Sequence, residues 1–309
     1  MRILSPLDET PHDLRGAAIA LGNFDGVHLG HQSVIAAARA AAGAGLLGAA
    51  VFEPHPRAFF APHAPAFRLQ SPDQRARALG ACGVNAIFEI GFDGAIAAMT
   101  PREFATRVLK ERIGASQVCI GFDFRYGKDR AGDCGTLRRD GADLGFDVHI
   151  VDAVDDAAHP DHKVSSSAIR KAIQSGDMQT ATRFLSRPWA IEGVVGPGQQ
   201  RGRTIGFPTA NLRLGAYLHP RFGVYAVRVD VGDGQMRAGV ANIGVRPTVA
   251  GDSEPMLEAH LFDFNTDLYG RRIETTLLHF LRPEQKFEDF EALKAQIAED
   301  AAQARALLA

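Results

Sequence analysis

The sequence predicts an α/β domain built on a parallel sheet over residues 1–187, followed by an antiparallel β-barrel with a closing helix over residues 188–309. Two observations within the chain carry this, and its length agrees. Over about the first 150 residues, short apolar runs alternate with helical patterns. From about residue 190 the pattern changes to short β-rich runs separated by Gly, Pro and Asp. A length of 309 residues is itself enough for about two domains.

The elements of the first half read in order. Ala17 to Leu21 (AAIAL) is a buried strand, and the Ala-rich stretch Gln32 to Ala42 is a helix. Leu46 to Glu53 is a second strand, Asp73 to Ala81 a helix, and Asn85 to Ile90 a third strand. Thr100-Pro101 opens a helix: Thr suits the N-cap, Pro the first turn, and Glu103 the third helical position. Phe104, Val108 and Leu109 give that helix an apolar face. Gln117 to Gly121 and Phe146 to Val151 are strands on either side of a helix at Thr136 to Leu144. Such alternation implies helices on both faces of a parallel sheet, with ligands beyond the carboxyl ends of its strands.

The stretch Gly22-Asn23-Phe24-Asp25-Gly26-Val27-His28-Leu29-Gly30-His31 sits at the first strand-to-helix junction. Glycines let backbone approach a ligand, and the N–H groups opening the next helix suit an anion. Two imidazoles three residues apart can donate to phosphate oxygens. The HxGH pattern resembles the signature of Rossmann-like nucleotidyltransferases, enzymes that cleave ATP between its α and β phosphates. Taken alone, the two histidines also read as a metal pair or as ordinary surface residues.

Three further clusters follow strands or open helices. They are Phe52-Glu53-Pro54-His55-Pro56, Gly121-Phe122-Asp123-Phe124-Arg125-Tyr126-Gly127, and Val164-Ser165-Ser166-Ser167-Ala168-Ile169-Arg170. Serine hydroxyls at a helix start with Arg170 one turn in make a second anion site, or simply a cap and a surface arginine. Ser175-Gly176-Asp177 separates two helical stretches, and Phe184 to Pro188 marks the domain boundary.

In the second half the strand-like runs are Ile191 to Val195, Gly223 to Val231, Met236 to Ile243, Met256 to Phe262 and Ile273 to Leu281. Phe287 to Leu308 is the closing helix, with Phe290, Leu293 and Ile297 at helical spacing. The stretch from Gly198 to Asn211 (GQQRGRTIGFPTAN) is Gly-rich but is not a Walker loop, because its glycines are closely spaced and Arg203 stands in place of Lys. Its backbone, with Gly198, Gly202 and Gly206, can wrap phosphates. Thr209 and Asn211 supply neutral oxygens for Mg²⁺ and, two apart on a strand, share a face. Asn242 to Thr248 (NIGVRPT) and Leu257 to Gly270 (LEAHLFDFNTDLYG) are the other polar-rich stretches. Glu258 is a lone carboxylate within an apolar strand, and alone it reads as a solvent-facing residue.

Composition excludes several classes. Hydrophobic residues at 46% and charged residues at 23% are those of a soluble globular protein, and a formal net charge of −2 leaves no footprint for nucleic acid or an anionic membrane. Cys82, Cys119 and Cys134 have no paired metal spacing and read as reduced thiols. The N-terminus lacks a signal-peptide pattern, and the longest apolar run, 13 residues, falls short of the roughly 20 a span needs. The expectation is a cytoplasmic protein.

GNFDGVHLGH, FEPHP, GFDFRYG and VSSSAIR, in this order, resemble the adenylyltransferase module of bacterial bifunctional riboflavin kinase/FAD synthetases over about residues 15–187. GRTIGFPTAN, NIGVRPT, LEAHLFDFNTDLYG and FLRPEQKF resemble the kinase module of the same enzymes from about residue 188 onward. Glu53 stands where Asp is usual, Ser167 where Thr is often found, and Asp123 where some members have Asn; each keeps polar or anionic character, and the roles of Glu53 and Asp123 stay open.

The resemblance implies two ATP-dependent steps, riboflavin to FMN in the second domain and FMN to FAD plus pyrophosphate in the first. It implies Glu258 as the kinase base and Thr209 and Asn211 as Mg²⁺-site residues. For adenylylation it implies His28, His31, Ser166, Ser167 and Arg170, with Gly22, Asn23, Phe24, Asp25, Gly26, Gly30 and Asp123 around the nucleotide. In the kinase, Gly198, Gly202, Arg203 and Gly206 are the implied nucleotide-binding residues. Arg282 and the loop around Arg246 are candidate flavin or phosphate contacts. Rival readings are a nucleotidyltransferase whose barrel only binds flavin, and a metal-binding or flavin-sensing regulator using His28 and His31.

Overall fold

The computed structural model describes residues 1–5, 10–196, 207–247 and 253–309. By contacts the chain forms two compact units, Met1–Ala64 with Pro72–Ser165, and Pro65–Ser71 with Ser166–Ala309.

The first unit holds a six-stranded sheet of order β1-β4-β3-β2-β5-β6, comprising β1 (Arg2–Leu4), β2 (Ala18–Leu21), β3 (Leu47–Glu53), β4 (Ala86–Gly91), β5 (Gln117–Gly121) and β6 (Asp147–Val151). Each of its pairings is parallel. The helices are α1 (Leu29–Ala42), α2 (Pro56–Phe60), α3 (Pro72–Ala81), α4 (Gly94–Ala98), α5 (Pro101–Glu103) and α6 (Cys134–Leu144).

Alternation along the strands divides the core into two layers. Ile19, Leu21, Phe52, Phe88 and Ile90 pack with Phe104, Val108, Leu109 and Leu137 on one face. Ala20, Ala49, Val51, Ile87 and Cys119 pack with Val34, Ile35 and Ala38 of α1 and Leu79 of α3 on the other. This two-sided burial is why the strands read as unbroken apolar runs.

Helix α5 opens as its sequence requires. Thr100 Oγ1 accepts from the Glu103 N–H while the Glu103 carboxylate accepts from the Thr100 N–H, a complete capping box. The helix then continues through Phe104–Ile113 with wider, π-type hydrogen bonding. The strand β1 and the hairpin of β7 (Asp155–Asp156) with β8 (His159–Lys163) carry too little periodic signal to be read from the chain.

In the second unit, α7 (Ser166–Ser175) and α8 (Met178–Leu185) precede six strands of order β10-β13-β12-β11-β14-β9. These are β9 (Trp189–Val194), β10 (Ala210–Arg213), β11 (Gly223–Asp230), β12 (Met236–Pro247), β13 (Ser253–Leu261) and β14 (Arg272–Pro283). The pairings are antiparallel, and a bridge from Gly196 to Asn211 brings the two edges of the sheet together. Gly223 opens β11 at φ +146°, and a Cβ there would overlap the Arg282 carbonyl, so this corner admits only glycine.

Helix α9 (Phe290–Leu308) begins with Asp289 accepting from the Ala292 N–H at 2.8 Å. The helical period expected from Phe290, Leu293 and Ile297 is present, but Phe290 is 54% exposed. Seating falls instead to Ala301, Ala304 and Leu308, against Val224, Ala226, Val240 and Phe262. Small alanines let the helix lie close to the sheet, which a count of bulky apolar residues misses. Arg282 donates Nε–H and Nη2–H to the two carboxylate oxygens of the buried Asp300 at 2.8 and 2.7 Å, and Arg305 donates from Nη1 and Nη2 to those of Asp263 at 2.8 and 3.0 Å.

His219, in the loop before β11, is partly buried, and burial holds its pKa below the ordinary imidazole value. A histidine whose folded pKa is depressed binds its proton more readily when unfolded, so stability falls as pH drops through the unfolded value of about 6.5. In melts between pH 7.5 and 5.5, His219→Gln is expected to lose less stability on acidification than the parent protein. An unchanged slope would remove His219 as the cause.

Candidate functional site

In the first unit, β2 delivers the chain to the carboxyl edge of the sheet and α1 carries it away. Between them Phe24 (φ +51°) and Val27 (φ +42°) hold left-handed backbone, while both side chains are 1% exposed. Burying these two apolar side chains holds the backbone in a sparsely populated conformation, as is common around ligand sites.

His28 caps α1: its Nδ1 accepts from the His31 N–H at 3.3 Å. In the neutral ring the proton is therefore on Nε2, the atom suited to donate to a phosphate. The His28 and His31 rings stack with centroids 3.6 Å apart and an interplanar angle of 19°, and Phe24 meets His31 edge-on at 5.2 Å. A Cβ on Gly30 would lie 3.2 Å from the His28 ring, so glycine keeps that imidazole in place. Gln32 secures the turn through Nε2–H to the Val27 carbonyl at 3.0 Å.

Asp25 is buried beneath the loop. Asn23 Oδ1 is buried with no hydrogen-bond partner among the described residues, an arrangement that asks for a ligand donor. Gly22 N–H is bonded to the Ala50 carbonyl at 3.1 Å, and Gly26 takes φ +97°.

Glu53 ends β3. Arg75 of α3, 4% exposed, reaches it at 3.0 Å and Glu89 at 3.2 Å. A buried guanidinium between two carboxylates fixes the start of the Pro54-His55-Pro56 turn. His55 then caps α2, whose Phe59 and Phe60 meet Phe92 edge-on at 5.4 and 5.7 Å, and Phe60 remains 68% exposed. The FEPHP motif ends at Pro56 and does not include this aromatic group, whose sequence signal is the Phe59-Phe60 pair.

Asp123 is exposed in the loop after β5. Cys134 at the head of α6 holds that loop through Sγ–H to the carbonyls of Gly121 and Phe122, at 3.4 and 3.3 Å. Lys163, three residues before Ser166, places its ammonium 4.9 Å over the Phe122 ring, a cation near the loop that the motifs did not single out.

Ser166, Ser167 and Arg170 belong to the second compact unit, at the start of α7. There Arg170 donates Nε–H to the Phe67 carbonyl at 2.8 Å and lies 5.6 Å over the Phe67 ring.

In the barrel, Asn211 of β10, Glu258 of β13 and Asn242 of β12 are directly opposite one another across neighbouring strands. Residues opposite in an antiparallel pair project to the same face, so the three form a polar row. The next row, Leu212, Leu257 and Ile243, is fully buried and supplies the apolar face. Asn211 is buried and donates Nδ2–H to the Thr209 carbonyl at 3.1 Å, which turns Oδ1 the other way. Thr209 immediately precedes β10.

Thr209 also lines a cleft of about 500 Å³ whose walls include Val195, Leu261, Phe264, Asp267 and Tyr269. Arg282, engaged with Asp300, lies in the same sheet row as Asn242 through Val224. Gly198, Gly202, Arg203 and Gly206 lie outside the described residues, as does the side chain of Arg246.

Two family models match the chain. The FAD synthetase model covers residues 10–168, and the flavokinase model, described as riboflavin kinase, covers residues 185–308. The bifunctional riboflavin kinase/FMN adenylyltransferase of Pseudomonas fluorescens is 42% identical over 312 residues, spanning 100% of this chain and 98% of that protein. The protein of the same description from Escherichia coli (strain K12) is 38% identical over 308 residues, spanning 99% and 96%. A crystal structure described as a macrolide-efflux protein from Streptococcus pneumoniae superimposes with a TM-score of 0.85 at 31% identity, covering 96% of each chain. Among the described residues no helix is long and apolar enough to cross a membrane. With a parallel-sheet HxGH unit matched to FAD synthetase and a barrel matched to riboflavin kinase, the chain belongs to the family of bifunctional riboflavin kinase/FMN adenylyltransferases.

Proposed function

We propose that the two chemistries divide between the loop of His28 and His31 and the barrel row of Glu258, and that the chain makes FAD from riboflavin in two ATP-consuming steps. The functional division follows the sequence boundary, with adenylylation in residues 1–187 and kinase chemistry in residues 188–309. The observation that carries the kinase assignment is the alignment of Asn211, Glu258 and Asn242 beside the Thr209 cleft.

In the kinase, the 5′-hydroxyl of riboflavin attacks the γ-phosphorus of ATP, the bond to the β-phosphate oxygen breaks, and ADP leaves as FMN forms. A neutral alcohol is a poor nucleophile, and Glu258 takes its proton as the bond forms. The carboxylate is half-buried and fixed on a strand, so its position does not depend on a loop. The cleft walls take the nucleotide and exclude water from the transferring group.

Thr209 and Asn211 fit a hard cation: both carry neutral side-chain oxygens, and Asn211 has its amide nitrogen engaged and Oδ1 turned away from that bond. They would hold Mg²⁺ that arrives with the ATP phosphates. When bound, Mg²⁺ offsets the charge that develops on the triphosphate. Asn211→Ala is expected to raise the Mg²⁺ concentration for half-maximal FMN formation by about tenfold or more. Titration of initial rates with Mg²⁺ checks this, and an unchanged requirement would remove Asn211 from the metal site.

In adenylylation, the FMN phosphate attacks the α-phosphorus of a second ATP and pyrophosphate leaves. That nucleophile is already ionised, so the protein needs no general base. Its task is alignment and the holding of charge on the leaving pyrophosphate. His28 Nε2 donates to that charge, with His31 stacked against it. Asn23 and the Gly22–Gly26 backbone shape the nucleotide pocket, and the exposed Phe60 beside Phe92 offers an apolar face for the flavin ring. Glu53 acts through the turn it anchors, and Asp123 has no assigned step. For Ser166, Ser167 and Arg170 the family resemblance is the support for ATP binding. Substitution of each, read as loss of FMN adenylylation, tests that role.

The deciding experiment follows riboflavin, FMN and FAD over time with purified protein, riboflavin, ATP and Mg²⁺. FMN followed by FAD is the expected course. FMN alone would confine the claim to the barrel, and FAD formed only from supplied FMN would leave the kinase reading without support.

A further inference from the structure

The segment Pro65–Ser71 lies within the stretch matched by the FAD synthetase model, yet it packs as part of the second unit. Its bonds there are dense. Arg68 N–H donates to the Ala216 carbonyl at 3.1 Å, and the Arg68 carbonyl accepts from the Leu218 N–H at 2.8 Å. The Leu69 carbonyl accepts from Trp189 Nε1–H at 2.6 Å, and Gln70 Oε1 accepts from Arg187 at 3.1 Å. Ser71 Oγ–H donates to the Glu192 carboxylate. Glu192 is 6% exposed and also meets Arg272 at 3.3 Å, whose side chain is largely solvated. The Tyr217 hydroxyl accepts from the Glu192 N–H at 3.2 Å, and burial, with Glu192 adjacent, pushes the Tyr217 phenol up to about 12.

Two of these contacts, those of Leu69 and Ser71, fall on one strand. Trp189 and Glu192 are both in β9, and β9 runs directly into the kinase cleft. Its continuation, Val195, lines that cleft, and the Gly196 N–H donates to the Asn211 carbonyl at 2.9 Å. A shift of β9 would therefore move one cleft wall and the backbone of a residue proposed to hold the metal. Buried carboxylates keep their place only while their hydrogen bonds are made, which makes the Ser71–Glu192 bond a lever on the strand.

We propose that Pro65–Ser71 is a positioning element of the kinase, with Ser71 holding β9, and through it the ATP cleft, from outside the kinase sequence. This rests on the kinase reading of the barrel. Ser71 touches no substrate; its effect passes through Glu192.

The test uses the full-length protein. Ser71→Ala is expected to raise the KM for ATP in riboflavin phosphorylation by about tenfold, the scale of one lost bond to a buried charged group. The kcat and the rate of adenylylation of supplied FMN are expected to stay within about twofold, and Ser71→Thr, which keeps the hydroxyl, to restore the KM. Trp189 is the single tryptophan of the chain, so its emission reports the segment directly. Loosening around the Leu69 contact is expected to shift that emission to the red in Ser71→Ala. Where the parent protein makes FMN, an unchanged ATP KM in Ser71→Ala would overturn the inference, as would parallel loss of both activities with a lowered melting temperature. A parent protein that makes no FMN would instead remove the kinase reading on which the inference stands.

Discussion

Glu258→Gln is expected to lower FMN formation by about 10²–10⁴-fold, the range a positioned general base contributes, while FAD formation from supplied FMN continues. Glutamine is the informative replacement because it keeps the shape of the side chain and removes only its basicity. The neighbours make the effect specific. Glu258 stands between Asn211 and Asn242 in register, and Leu257 and Ala259 on either side are fully buried. The strand therefore has packing of its own and does not depend on the carboxylate for its place. Separate assays of the two steps on the same preparation decide the matter. If FMN appears at the parent rate, Glu258 takes no proton in the reaction.

His28→Asn is expected to reduce FMN adenylylation by about 10²–10³-fold, the scale of losing one donor aimed at developing charge, with riboflavin phosphorylation intact. Asparagine is chosen over alanine because His28 has two tasks. Its Nδ1 caps α1 by accepting from the His31 N–H, and loss of a cap costs about 1 kcal/mol. Asparagine is among the best N-cap residues, so the helix start is retained while the imidazole is removed. Equal loss of both activities in a folded variant would contradict the division of chemistry between the two modules. A variant that adenylylates FMN normally would leave His28 as a cap alone.

The site was legible in the chain to unequal depths. The strand–glycine–helix passage around HxGH and the capping box of Thr100 with Glu103 are local, and each follows from residues within a few positions of one another. Glu258 is the contrary case. A carboxylate on an alternating strand reads as solvent-facing until β10 and β12 are set beside it, and only then does it stand in a row with Asn211 and Asn242. Arg75 was hidden for a similar reason, because a lone arginine in a helix gives no sign that Glu53 and Glu89 will enclose it. Arg282, a candidate flavin or phosphate contact in the sequence, is engaged with Asp300 of α9.

What the sequence by itself determined is the order of the long, strongly patterned elements, the change from parallel α/β to antiparallel barrel, and the family and its two activities. Periodicity, caps and turn residues act between near neighbours, and motif residues keep their types and spacing along the chain. Only the tertiary structure decided which residues meet across strands, which face of α9 is seated, and that Pro65–Ser71 packs with the second unit. Those outcomes rest on contacts such as Ser71 with Glu192, 121 positions apart, whose pairing follows from packing and from the need of a buried carboxylate for donors.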